Sequence, residues 1–139
     1  MTDETGKLIE QQHLGNGIEL FMYDQSRLTA GDRWQVELKC EAHIPIDEIF
    51  WDMVAHEDPE LLHEIRKILG DRMVFVTTRQ RNFVDAKEQE PVFQEMMHQV
   101  FDSILEYLKK PYFPQEFFKK QYREAHQKIL IRKAMDNSR

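Results

Sequence analysis

The stretch Trp34-Gln35-Val36-Glu37-Leu38-Lys39-Cys40-Glu41-Ala42-His43-Ile44 decides the fold. Every even-numbered residue in it is apolar and every odd-numbered one is polar. Successive side chains of an extended strand point to opposite faces, so this alternation describes a strand with one dry face and one wet face. The chain must therefore build a sheet that other elements cover on one side only.

Upstream, Gly15-Asn16-Gly17 is a turn signal, because Gly and Asn tolerate positive φ. It separates residues 8–14, which alternate poorly, from Ile18-Glu19-Leu20-Phe21-Met22-Tyr23, which is rich in strand formers. Residues 24–33 read as a polar connection that ends in the turn chemistry of Gly31-Asp32. Together with the strand from Trp34 these pieces make an antiparallel meander.

Downstream, Pro45 ends the strand. Residues 47–57 fit a helix capped by Asp47. Asp58-Pro59-Glu60 starts a second one with a cap, a proline at the first helical position and an acid in the first turn. Leu61, Leu62, Ile65, Ile68 and Leu69 give it an apolar stripe that Gly70 closes. Residues 73–84 have the composition of a last strand. A long helix follows from about residue 90, with apolar residues at 92, 96, 100, 104 and 108 and at 93, 97, 101 and 105. A step of four overshoots one turn by ~40°, so this stripe winds around the helix. Pro111 and Pro114 end it, and a final helix runs from about 114 to 135. The expected architecture is α+β. An antiparallel sheet of three to four strands, a meander plus one later strand, is covered on one face by helices in the order β-β-β-α-β-α-α. We expect a single domain over residues 1–139, with residues 1–6 frayed.

A net charge of −6 hides an asymmetry. Residues 109–139 hold nine Lys/Arg against three acids, a net +6, whereas the other 108 residues hold ten bases and 22 acids, a net −12. The simplest reading is an acidic body facing its own basic terminal helix; the sharper one is a basic arm for an acidic surface. The aromatics of that helix, Phe117, Phe118 and Tyr122, are placed for packing, and the acidic chain as a whole disfavours approach to a polyanion, so a solvated basic face is expected ahead of nucleic-acid binding. No apolar run approaches the ~20 residues that cross a bilayer. The start of the chain lacks the basic and apolar stretches of a secretory signal. The single cysteine excludes a disulfide framework. A cytoplasmic setting is expected.

Site chemistry is sparse. There is no Gly-x-Gly-x-x-Gly, Walker loop, His-Glu-x-x-His or serine elbow. Cys40 and His43 stand an odd number of residues apart on a strand, hence on opposite faces, and the histidines show no ligand spacing. Cys40 falls on the dry face, where a thiol is an inert small hydrophobe. No cofactor or metal is implied. Two polar clusters remain: Asp24, Ser26, Arg27, Asp32 and Arg33 in the connection, and Arg79, Arg81, Asn82 and Asp85 at the end of the last strand. If that strand runs antiparallel to residues 34–44 the clusters meet; a parallel crossover would part them. Where they meet, arginine forks suit carboxylate or phosphate, or else Asp24 and Asp32 bind the arginines into a structural network. Ser26, Arg27, Asp32, Arg33, Arg79, Arg81 and Asn82 are thus the candidate ligand- or partner-binding residues.

The function expected first is a non-enzymatic domain that works through contact with a protein partner or with itself as a homodimer, since a meander leaves an edge strand. The alternatives are an anion or small-ligand site on the arginine cluster, and nucleic-acid binding through the basic terminal helix.

Overall fold

The computed structural model describes residues 6–138. In chain order it contains β1 (Lys7–His13), β2 (Glu19–Asp24), β3 (Arg27–Ala30), β4 (Arg33–Pro45), α1 (Glu48–Asp52), α2 (Pro59–Leu69), β5 (Arg72–Asp85), a 3₁₀ turn (Ala86–Glu88), α3 (Gln89–Leu108) and α4 (Phe113–Asn137). The fold is α+β, with one five-stranded antiparallel sheet. The frayed start expected over residues 1–6 lies outside the described residues except for Gly6. That glycine is held in place: at φ +72° it lies so close to β2 that a Cβ would stand 2.6 Å from the Asp24 carbonyl oxygen.

β4 is the strand that residues 34–44 announce. Val36, Leu38, Cys40, Ala42 and Ile44 are buried, and the odd-numbered residues between them are half-buried. The turn at residues 15–17 joins β1 to β2, and the Asn16 side chain donates to the Leu108 carbonyl at the end of α3 (3.0 Å), satisfying one of the acceptors a helix end leaves open.

The connection 24–33 differs from the expectation: it contains a strand. β2 pairs Asp24 with Leu38 and β3 pairs Arg27 with Gln35, so one register runs through both. Across the gap Gln25 N donates to Glu37 O at 2.9 Å. β2 and β3 are two halves of one hairpin arm, β4 is the other, and the turn passes through Gly31 at φ +59°. No alternation marks residues 24–30 because the arm breaks at Ser26, and beyond it all of β3 is exposed. A second difference lies after Pro45. Helix does not extend to residue 57; α1 stops at Asp52 and the chain tightens into turns closed by bonds three residues apart, Val54 N to Trp51 O, Ala55 N to Asp52 O and Glu57 N to Val54 O, before Asp58 and Pro59 start a new helix.

β5 runs antiparallel to β4. Ala86 N donates to Asp32 O (3.0 Å) and the Gln80 side chain accepts from Gln35 (3.1 Å), so one number falls as the other rises.

The chain divides into two compact units, Met1–His43 with Val74–Lys110 and Ile44–Met73 with Pro111–Arg139. In the first, α3 lies along the sheet. Its first turns share a cleft with Lys7, Ile9 and Asp24, its last carbonyl meets Asn16, and Tyr107 contacts Phe75 of β5. Met96, Val100, Ile104 and Leu108 of one step-of-four row are buried, with Phe93 at the head of the neighbouring row, while Val92, Met97, Phe101 and Leu105 are half-buried. In the second, Phe118 of α4 packs against Phe50 and Trp51, each with ring centroids 5.3 Å away. Tyr122 donates to Glu57 (2.9 Å), and Arg132 and Lys133 stand 3.7 and 3.9 Å from Glu64 of α2. Part of the basic charge of the terminal helix is thus answered inside its own unit. Among the described residues no helix is long and apolar enough to cross a membrane.

The face assignment sets two mutations apart. Leu38→Ala leaves a cavity in the core and should cost about 2–5 kcal/mol, whereas Glu37→Lys, one residue away, should shift stability by less than about 1 kcal/mol. Urea denaturation of both variants measures this, and equal effects would contradict the assignment.

Candidate partner-binding end of the sheet

The hairpin of β3 and the start of β4 and the last third of β5 lie side by side, and this brings the two polar clusters together. Arg33 stands 3.8 Å from Asp32 and 3.6 Å from Asp85, linking the turn to the end of β5. Arg27 Nε donates to Gln35 Oε1 (2.7 Å), and Gln35 in turn donates to Gln80 (3.1 Å), so a row of side-chain hydrogen bonds crosses all three strands. Of the structural network expected here, only the Asp32–Arg33 pair forms among the described residues: Arg27 bonds to Gln35 instead, and Asp24 accepts from the Ser26 N–H.

Ser26 has a different task. Its N–H donates to Asp24 Oδ1 (2.9 Å) and its hydroxyl accepts from Glu37 N (3.0 Å), so a side chain takes the place of a ladder carbonyl where the arm breaks. Ser26 belongs to the backbone accounting of the hairpin and is not grouped with the arginines.

Arg79, Arg81 and Asn82 remain open. Residues 78–83 are exposed without interruption. Among the described residues neither Arg79 nor Arg81 has an ion-pair partner. Phe83, which follows them, is 81% exposed and adopts φ 60°, a left-handed conformation that bulky residues rarely take. Leu28 of β3, 55% exposed, adds a second uncovered apolar side chain. This end of the sheet carries Arg27, Arg33, Arg79, Arg81 and Lys87 against Asp32 and Asp85, a cationic surface on an acidic chain. Phe83 and Leu28 were not singled out from the sequence. Phe83 sits in a run of strand formers where it reads as core, and Leu28 sits in a segment without alternation.

A second polar group, not singled out from the sequence, lies on the face of β4 opposite the core. Lys39, Glu41 and His43 follow one another at every second residue. Lys39 Nζ lies 2.9 Å and His43 Nε2 3.0 Å from the Glu41 carboxylate, and the Phe21 ring stands 4.7 Å from the imidazole. Their side chains are only 20%, 14% and 18% exposed, in that order, so this face is less wet than alternation implies. Burial alone would raise the Glu41 carboxyl, but hydrogen bonds from His43 and Lys39 and the charge of both outweigh it and hold it below its ordinary value. The spacing of two along a strand is the signal that finds this row.

Cys40 lies on the dry face, fully buried, and burial pushes its thiol up to about 11 despite the opposing charge of Arg79; such a thiol is no nucleophile. No three His, Cys, Asp or Glu side chains gather to hold a metal among the described residues. The cleft between β1 and α3, about 310 Å³ in volume, holds none of the candidate residues apart from its rim residue Asp24 of the first cluster. Comparison with protein-family models, curated proteins and solved structures finds no match for this chain.

Two outcomes follow. Ser26→Ala leaves the Glu37 N–H without its acceptor and should lower stability by about 1–3 kcal/mol, with Ser26→Thr recovering most of it; thermal or urea unfolding reads both, and an unaffected alanine variant would contradict the role. Glu41, lowered in the folded state, contributes stability above its unfolded value that is lost as pH falls through the folded one. The stability gap between wild type and Glu41→Gln should therefore be full at neutral pH and shrink in acid; a gap constant into strong acid would contradict the network.

Proposed function

We propose that this chain is a non-enzymatic docking domain whose cationic sheet end binds an acidic segment of a partner protein. One observation carries the reading: the exposed run 78–83 presents Arg79 and Arg81, which have no ion-pair partner among the described residues, and ends in the exposed, left-handed Phe83. Holding a bulky residue at positive φ costs of order 1–3 kcal/mol, and such strain gathers at sites of use. Guanidinium forks recognise carboxylates in a planar, two-pronged geometry. An exposed aromatic with arginines beside it is the composition of interface anchors.

The same charges argue against self-association through this surface, because a twofold pairing sets like charges face to face. Cys40, buried with its thiol pushed up to about 11, supplies no nucleophile beside the arginines, which supports a binding role over thiol catalysis. The lone buried cysteine fits a reducing, cytoplasmic setting.

Titration with a ten-residue glutamate-rich peptide, followed by amide chemical shifts, tests the reading. Shifts should concentrate at residues 79–83, sedimentation should show a monomer before addition, and Arg79→Glu/Arg81→Glu should weaken binding tenfold or more. Equal binding of the lysine counterpart, or stronger binding of single-stranded oligonucleotide, would overturn it.

A further inference from the structure

We infer that the partner is taken up as an added strand along the outer edge of β5, with acidic side chains two residues apart. This rests on the docking reading above and goes beyond it to the mode of capture and the pattern recognised. β5 is fourteen residues long and hydrogen-bonds to β4; among the described residues no strand lies on its other side. Every second N–H and C=O along that side is therefore available to another chain. Residues 78–83 are also exposed without interruption, which leaves room beside them for an incoming strand.

An open edge of this length invites indiscriminate pairing, and charge is one way in which sheets prevent it. Arg79 and Arg81 supply that charge. They also define what is admitted. Side chains on a strand repeat every second residue, so Arg79 and Arg81 share one face and the residues opposite them on an added strand are also two apart on that face. Acids at those two positions turn the repulsion into two cross-strand pairs, whichever direction the added strand runs. A second copy of β5 instead places arginine against arginine. The backbone ladder supplies affinity, the paired acids supply selection, and Phe83 offers apolar surface at the far end. Six residues of edge correspond to ~20 Å of added strand.

The test uses a nine-residue peptide alternating glutamate with valine, two versions of it N-methylated on either set of alternate backbone amides, and a helix-forming peptide of glutamate and alanine, each titrated into the full chain. A strand bonded along one side uses only one set of its amides. The parent should bind and slow exchange of alternate amides within residues 74–82. One methylated version should bind as the parent does and the other at least tenfold more weakly. The helical peptide should bind more weakly than the parent. If both methylated versions bind like the parent, or the helical peptide binds better, strand addition is overturned while the docking reading stands. If none of the four binds, both fall.

Discussion

The hydrogen-bonded register of β4 is the constraint on which the sheet depends. One strand of thirteen residues carries β2 and β3 on one side in a single register and β5 on the other. Side-chain parity is locked to that register, because a slip by one residue would move Val36, Leu38, Cys40 and Ala42 from the core to the opposite face. The same register puts Lys39, Glu41 and His43 in a row on the other face and aligns the tip of the hairpin with the end of β5. The core, the buried ion row and the cationic end are three consequences of one pairing.

The cationic end follows from where the cover stops. α3 runs from a cleft it shares with Lys7, Ile9 and Asp24 to Asn16 at the β1–β2 turn, with Tyr107 against Phe75 of β5. β3 and residues 78–83 of β5 extend past that region and are exposed throughout. A bare pair of strands has little apolar burial of its own to hold it together. Here the side-chain chain Arg27–Gln35–Gln80 and the Arg33–Asp85 pair cross the strands instead. Exposed pairs of this kind are each worth only ~0–1 kcal/mol, so they set geometry more than stability. Arg79 and Arg81 take no part in that stapling, which leaves them to act outward.

How much the sequence disclosed depended on whether a physical signal was local. The strict alternation of residues 34–44 named β4 and its dry face, and the cap-proline-acid triplet at 58–60 named the start of α2. β3 was hidden because an exposed hairpin tip needs no apolar period, and because the Ser26 hydroxyl replaces a carbonyl in a way that spacing does not announce. The meeting of residues 24–33 with 79–85 hinged on strand direction, a long-range fact; once β5 proved antiparallel, Asp32, Arg33 and Asp85 came together. Phe83 was unreadable, since its meaning lies in a positive φ that no residue type advertises.

Hydrogen exchange of the free chain, resolved by residue, tests the central claim about β4 most directly. With β2 on one side and β5 on the other, consecutive amides from 36 to 43 should all exchange slowly, while amides from 78 to 82 should alternate between slow and fast. Alternation within 36–43, or uniform protection across 78–82, would contradict the pairing on which the sheet and its open edge both rest.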